Sequence, residues 1–313
     1  MIFTEVAEYW ARSASVSDEA NFRLRVGFLR DCLSCRDAVR KLLRANLNTS
    51  LGRLISERPE TLGIVTWPYQ NSKWGQAERI DRLIQHYSVA EEIGSPVDFG
   101  STEKVLLVDM VDIVPDLRII LDQAKWFMRE GGLVLNLFVG QRRVFSLAFS
   151  LYRESTSIGA VIGAMQGRDS PNVLDIYRNI TKHCGHMRPR DFLLEVFRML
   201  ALRIGVSRIL AISDAARHHR HSYFKDKHKV LFRANYTNYD EIWIDRGAQK
   251  ISNEFFELPV VVERKPLADI PAKKRGQYRK RFELLEEVSR RLGCRLSELK
   301  GRPDFADLRG FEQ

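Results

Sequence analysis

The sequence predicts an α+β protein with α and β layered on one another: a mixed, largely antiparallel central sheet that contains a three-strand meander and is flanked by helices. Three observations predict it. Leu133 to Val139 is an apolar run, Gly140-Gln141 a turn, and Arg143 to Tyr152 an alternation that puts Phe145, Leu147, Phe149 and Leu151 on one face and Ser146, Ala148 and Ser150 on the other. Ser155 to Ser157 then turns the chain into Ile158 to Gln166, and three strands with short connections form an antiparallel meander. Beyond them, Phe192, Val196, Met199, Leu200 and Arg203 line up along a helix that Pro189 opens and Gly205 stops, and Ser207 to Ser213 follows as a buried strand. Helix, short loop and buried strand in that order mean a sheet covered by helices.

Taken in order, residues 1–110 form an N-terminal helical region. Phe22, Val26, Leu29 and Leu33 recur at helical spacing, as do Val39, Leu42 and Leu43, and Arg58-Pro59 closes the segment. Leu62 to Trp67 reads as a short strand ended by Pro68. The stretch Trp67 to Trp74 has two readings: Trp67 and Tyr69 pack the helical layer onto the sheet, or they wall a ligand pocket. A helix with Ile80, Leu83, Ile84 and Tyr87 follows. Residues 111–262 form the α/β core, with the meander, a helix carrying Val173, Ile176, Tyr177 and Ile180, the helix after Pro189, and strands at Asp240 to Asp245 and Phe255 to Val262. Pro259 places the last strand at an edge or a bulge. Residues 263–313 are a basic amphipathic helix and tail, with Tyr278, Phe282, Leu285, Val288 and Leu292 as its apolar stripe.

Charge narrows the function classes. A net charge of +10 in 313 residues favours an anionic partner, whether a membrane surface, a phosphorylated ligand or nucleic acid. Arg264, Lys265, Lys273, Lys274, Arg275, Arg279, Lys280 and Arg281 concentrate that charge against Asp269 alone. No run approaches the roughly 18 apolar residues of a membrane span, and the N-terminus lacks the pattern of a secretory signal. The expected location is therefore cytoplasmic, with peripheral contact at the inner membrane. Four cysteines do not make a disulfide framework, and Cys32 and Cys35 sit in a helical pattern, as reduced helix cysteines do.

Two constellations carry chemistry. Gly185-His-Met-Arg-Pro-Arg190 precedes a helix N-terminus, where free backbone N–H groups with Arg188 and Arg190 would hold phosphate oxygens. Its plainer reading is a capping loop whose arginines meet surface carboxylates. The stretch Ile209 to Phe224 runs from a buried strand into a turn bearing Asp214, Arg217, His218, His219, Arg220, His221 and Tyr223. Ligands in α/β sheets bind outside such strand ends. One of the three histidines would serve as general base, with Asp214 orienting it and Arg217 and Arg220 favouring an acidic ligand. No two of them are four residues apart and no cysteine or acidic set completes a site, so no metal is expected.

These motifs together resemble the VirK/YbjX family of bacterial proteins, the domain of unknown function 535. The matching stretches are Leu62 to Trp74, Lys125 to Phe138, Met187 to Asp191, Ser213 to Phe224, Tyr239 to Gly247, and Phe255 to Pro259 joined to Ile270 to Leu285. The resemblance implies a part in virulence, resistance to antimicrobial peptides, envelope homeostasis and stress response, acting through an anionic partner, and transfers no catalytic residues. A weaker resemblance, to the order of elements in GNAT-type acyltransferases, implies an acyl-coenzyme A donor. Here Gly185 stands alone where that fold carries a glycine-rich pattern, and the helix near Asn172 to His183 is extra.

Overall fold

The computed structural model describes residues 18–45, 48–169, 171–224, 238–301, 308 and 310–312. Helices α1 (Asp18–Ser34), α2 (Arg36–Leu43) and α3 (Ser50–Glu57) lead through a 3-10 turn at Pro59–Val65 into α4 (Gln76–Ile93). Then come β1 (Lys104–Asp109), β2 (Leu117–Asp122), β3 (Leu133–Val139), β4 (Arg142–Glu154) and β5 (Ser157–Gly167). After α5 (Val173–His183) and α6 (Pro189–Arg203) the chain makes β6 (Val206–Ile212), α7 (Tyr239–Asp245), β7 (Gln249–Lys250), β8 (Phe255–Leu258) and the long α8 (Ala272–Gly301).

The strands form one mixed sheet in the order β1-β2-β3-β4-β5-β6-β8-β7. β5 and β6 are its parallel pair, joined by the crossover that holds α5 and α6, and the other neighbours are antiparallel. The architecture is thus α+β with a largely antiparallel sheet, as expected. The meander, however, extends over five strands: β1 and β2 lack an alternating pattern because both of their faces are covered, with Val105, Leu107, Ile119 and Leu121 buried on one side and Ile120 on the other. β1 pairs with β2 across the expected boundary at residue 110.

One face of the sheet carries the main core, where Phe149, Leu147 and Ile162 meet Phe197 and Val196 of α6 and Val288 and Leu292 of α8. The stripe of α8 therefore docks on the body, with Leu285, Val288, Leu292 and Leu296 buried and Tyr278 and Phe282 half-buried. Smaller clusters cover the other face, including Ala124 and Phe127 on Ala148 and Ala164, and Leu308 and Phe311 on Ile120 and Phe138. Beneath Trp126 lies a buried ion pair, Arg143 Nη2 to Asp122 Oδ2 at 2.6 Å, tied to Asn136 and Ser146.

Four expectations are corrected. In α1, Val26, Leu29 and Leu33 face solvent and Phe28 and Cys32 form the buried side, with Cys35 buried just beyond its end; the part of the helical reading on residues 1–17, and on the Phe22 side chain, lies outside the described residues. Leu62 to Trp67 is no strand: the chain winds as a 3-10 turn, with Gly63 so close to the Trp67 ring that a Cβ would meet it at 2.6 Å. Asp240 to Asp245 is the helix α7, capped by the Asn238 side chain, which accepts the Asp240 N–H. The last strand ends at Leu258, before Pro259, in β8, which lies between β6 and β7.

Candidate ligand cavity

Pairing between β5 and β6 ends at Ile162 and Ala211, while β5 runs on to Gly167. The gap that opens is closed by Tyr239 of α7, whose hydroxyl donates to the Met165 carbonyl (2.9 Å) and accepts the Met165 N–H (2.8 Å). Outside this divergence, at the carboxyl ends of the parallel pair, lies a cavity of about 940 Å³. That volume is at the upper end of the roughly 300–1,000 Å³ of small-molecule sites.

The strand ends give the cavity Phe145, Met165, Gln166 and Gly167; α5 gives Leu174, Tyr177, Arg178, Thr181 and Lys182. The loop into α6 adds His186, Arg188, Pro189 and Arg190, and the turns after β6 add Arg217, His218, His219 and Phe224. The structure thus brings the Arg188–Arg190 loop and the histidine turn into one wall system. Among the described residues, five arginine and lysine side chains (Arg178, Lys182, Arg188, Arg190 and Arg217) line the cavity with one carboxyl, that of Glu130. Arg188 makes no ion pair among the described residues, and Arg190 donates from Nε to Asp191 (3.1 Å). Pro189 and Arg190, the first residues of the fifteen-residue α6, belong to the same wall.

Glu130 is the residue that sequence reasoning missed. Its carboxylate lies 3.8 Å from His218 Nδ1, and among the described residues no other acid pairs with that ring. This is proximity and not yet a hydrogen bond. Burial pushes the Glu130 carboxyl up to about 7, against the pull of Arg217 and Arg129. Burial, with His219, Arg129 and Arg217 nearby, holds His218 well below the ordinary imidazole range. The site therefore pairs a neutral imidazole with a carboxyl that changes state near neutrality.

Asp214 does not take the orienting position expected of it. Its carboxylate binds the Arg220 guanidinium and lies 3.6 Å from Arg217, whose own guanidinium stacks 3.8 Å from the Tyr239 ring centre. Arg220, His221 and Tyr223 stand outside the cavity lining: His221 Nδ1 accepts the Tyr223 N–H, and Tyr223 stacks on Arg129. Gly185 is also outside. A Cβ there would meet the Arg281 Cα at 2.7 Å, and its carbonyl accepts from Arg281 Nε (3.0 Å), so this glycine lets α8 pack close.

Trp67 and Tyr69 are buried and support the site from behind. Trp67 stacks under Arg129, and the Tyr69 hydroxyl bonds Ser150 Oγ at 2.7 Å. Between them and Glu130, Gln70 N donates to the Arg129 carbonyl (2.7 Å) and Gln70 Nε2 to the Glu130 carbonyl (3.2 Å). The backbone of Glu130 also presses on Gly163, where a Cβ would sit 1.9 Å from its carbonyl oxygen. The signal for Glu130 was its place in the family-like stretch Lys125 to Phe138, as a lone acid before the pair Gly131-Gly132; its partners come from distant stretches. Lys273, Lys274 and Arg275 lie exposed at the start of α8, and Arg275 turns back to the carbonyls of Ile270 and Ala268.

The sequence profile of a family described as "Protein of unknown function (DUF535)" matches residues 17–293. An uncharacterized protein of Haemophilus influenzae is 27% identical over 250 residues, 78% of this chain and 80% of its own length. The uncharacterized protein YbjX of Escherichia coli is 22% identical over 297 residues, 92% of this chain and 87% of its own. No solved structure matches. Among the described residues, no helix is long and apolar enough to cross a membrane.

Proposed function

The chain belongs to the DUF535 family of proteins of unknown function, and on that footing we propose that its cavity binds a small ligand with an anionic head and an apolar body, an acyl donor of the acyl-coenzyme A type, and transfers the acyl group. The observation that carries this reading is one cavity whose wall, among the described residues, sets five cationic side chains against a single carboxyl, with Phe145, Met165 and Leu174 offering apolar surface beside them. Phosphate oxygens would meet Arg188, Arg190 and the α6 N-terminus. His218, neutral in the fold, takes the proton from the acceptor hydroxyl or amine as it attacks the thioester carbon. The C–S bond breaks, the imidazolium stands beside the Glu130 carboxylate, and the proton passes to the leaving thiolate.

Calorimetry with acyl-coenzyme A tests the binding. Wild type should bind saturably, and Arg188→Glu with Arg190→Glu should weaken the affinity at least about tenfold, since each charge-assisted hydrogen bond is worth roughly 1.5–3 kcal/mol. His218→Ala should keep binding and lose turnover by roughly 10²–10⁴-fold. Absence of binding at millimolar ligand would sink the reading.

A further inference from the structure

We propose that the mouth of the cavity is a docking surface for an anionic lipid bilayer; the proposal rests on the reading of the cavity as a ligand site. The charges of α8 divide along its length. In the distal half, Arg290 and Arg291 pair with Glu287, Arg291 also with Asp112, and Arg295 with Glu298. In the proximal half, which has no acid in its first turn, Lys273, Lys274, Arg279 and Lys280 are exposed and make no ion pair among the described residues. An ion pair on the surface contributes little stability, so leaving four cations unpaired costs the fold little. Their like-charge repulsion falls when an anionic surface comes near.

That cationic end abuts the cavity. Arg281, one residue beyond Lys280, packs its backbone on Gly185 and donates to the Gly185 carbonyl. From Gly185 the chain passes directly to His186 and Arg188, exposed residues of the cavity wall, and Lys182 precedes it on the same wall. The unpaired charges of α8 and the basic rim of the cavity thus form one surface. At this rim Leu174 of α5 is 64% exposed, an apolar side chain among Arg178 and Lys182. Cations around an exposed leucine, opening on an apolar-walled cavity, fit an interface of phosphate headgroups over acyl chains. A nucleic acid would use the cations and leave Leu174 and the interior unused.

Sedimentation with vesicles of phosphatidylglycerol mixed into phosphatidylcholine, against vesicles of phosphatidylcholine alone, tests this. The full chain should bind the anionic vesicles and not the neutral ones. Lys273→Glu, Lys274→Glu, Arg279→Glu and Lys280→Glu together should weaken that binding at least about a hundredfold, and Leu174→Asp should weaken it with the far-ultraviolet circular dichroism unchanged. Equal binding to both vesicles, wild-type affinity in the charge-reversed chain, or tighter binding to RNA than to anionic vesicles would overturn it. Soluble acyl-coenzyme A separates the two ideas. If the charge-reversed chain loses vesicles and keeps the donor, both stand. If wild type binds vesicles but no donor, the surface stands and the acyl-donor reading falls; if it binds the donor but no vesicles, the surface falls.

Discussion

Glu130 shows how a single side chain sets the character of the cavity. An ionised carboxylate there is costly because burial outweighs its two arginine neighbours, so the folded protein holds a proton on it up to about pH 7, where an unfolded chain has released it near 4.5. Between those values the native state binds more protons, and stability falls as pH rises through the window. Glu130→Gln removes the titration. The melting temperature of this variant relative to wild type should rise as pH goes from below 4.5 to above 7; a flat difference would mean that the carboxyl is ionised throughout. At this scale the turn after β6 drew notice because three imidazoles and two guanidiniums at a strand end have no use in a core; Arg217, His218 and His219 line the cavity, and Arg220 and His221 stand outside it. Glu130 was not legible in this way. Its neighbours Gln70, Gly163 and His218 come from three other stretches, and spacing along the chain carries no trace of them.

At the scale of elements, α7 is the piece whose reading failed and whose position matters most to the cavity. Asp-Glu-Ile-Trp-Ile-Asp alternates as a strand would, yet Tyr239, Ile242 and Trp243 are buried at helical spacing, Ile244 is exposed, and Trp243 Nε1 donates to the Ile212 carbonyl at 2.9 Å. A short run of six residues satisfies both periods, and the cap at Asn238 decides between them. Arg143 to Tyr152 and the helix after Pro189 were legible because each has one clear period. Leu133 to Val139 and Ser207 to Ser213 were legible as apolar runs between breaks, although Ser207 turns out exposed and Arg208 and Leu210 only partly buried. β1 and β2, covered on both faces, have no clear period. The helix brings Tyr239 to Met165, so Tyr239→Phe leaves a buried N–H and C=O of β5 without their partner. We expect a loss of about 1–3 kcal/mol in urea unfolding. If the loss is under half a kilocalorie, β5 finds another partner and α7 is not what closes the divergence.

For the whole molecule, the buried titrating groups predict the shape of the pH–stability curve. His86 is enclosed where α4 meets the sheet; its Nδ1 accepts the Leu151 N–H at 3.0 Å, which requires the neutral ring, and burial lowers its titration to about 3. His218 and His221 are lowered as well, burial first in both. An unfolded chain protonates all three near 6.5, so in the range below that value the unfolded state binds more protons and stability rises with pH. Glu130 works against them between about 4.5 and 7, one group against three. Above pH 7 the balance stays level until the buried thiols of Cys32 and Cys184, pushed up to about 12 by desolvation, hold protons that an unfolded chain releases from about 9. The urea midpoint of wild type should therefore climb from acid to about pH 7, level off, and decline again beyond 9. Replacing His86 with Gln, an amide that can still accept the Leu151 N–H, should make the acid limb shallower without moving the alkaline one. An acid limb as steep in the variant as in wild type would show that His86 takes up its proton without unfolding, and that the Leu151 bond is not what holds this part of the sheet together.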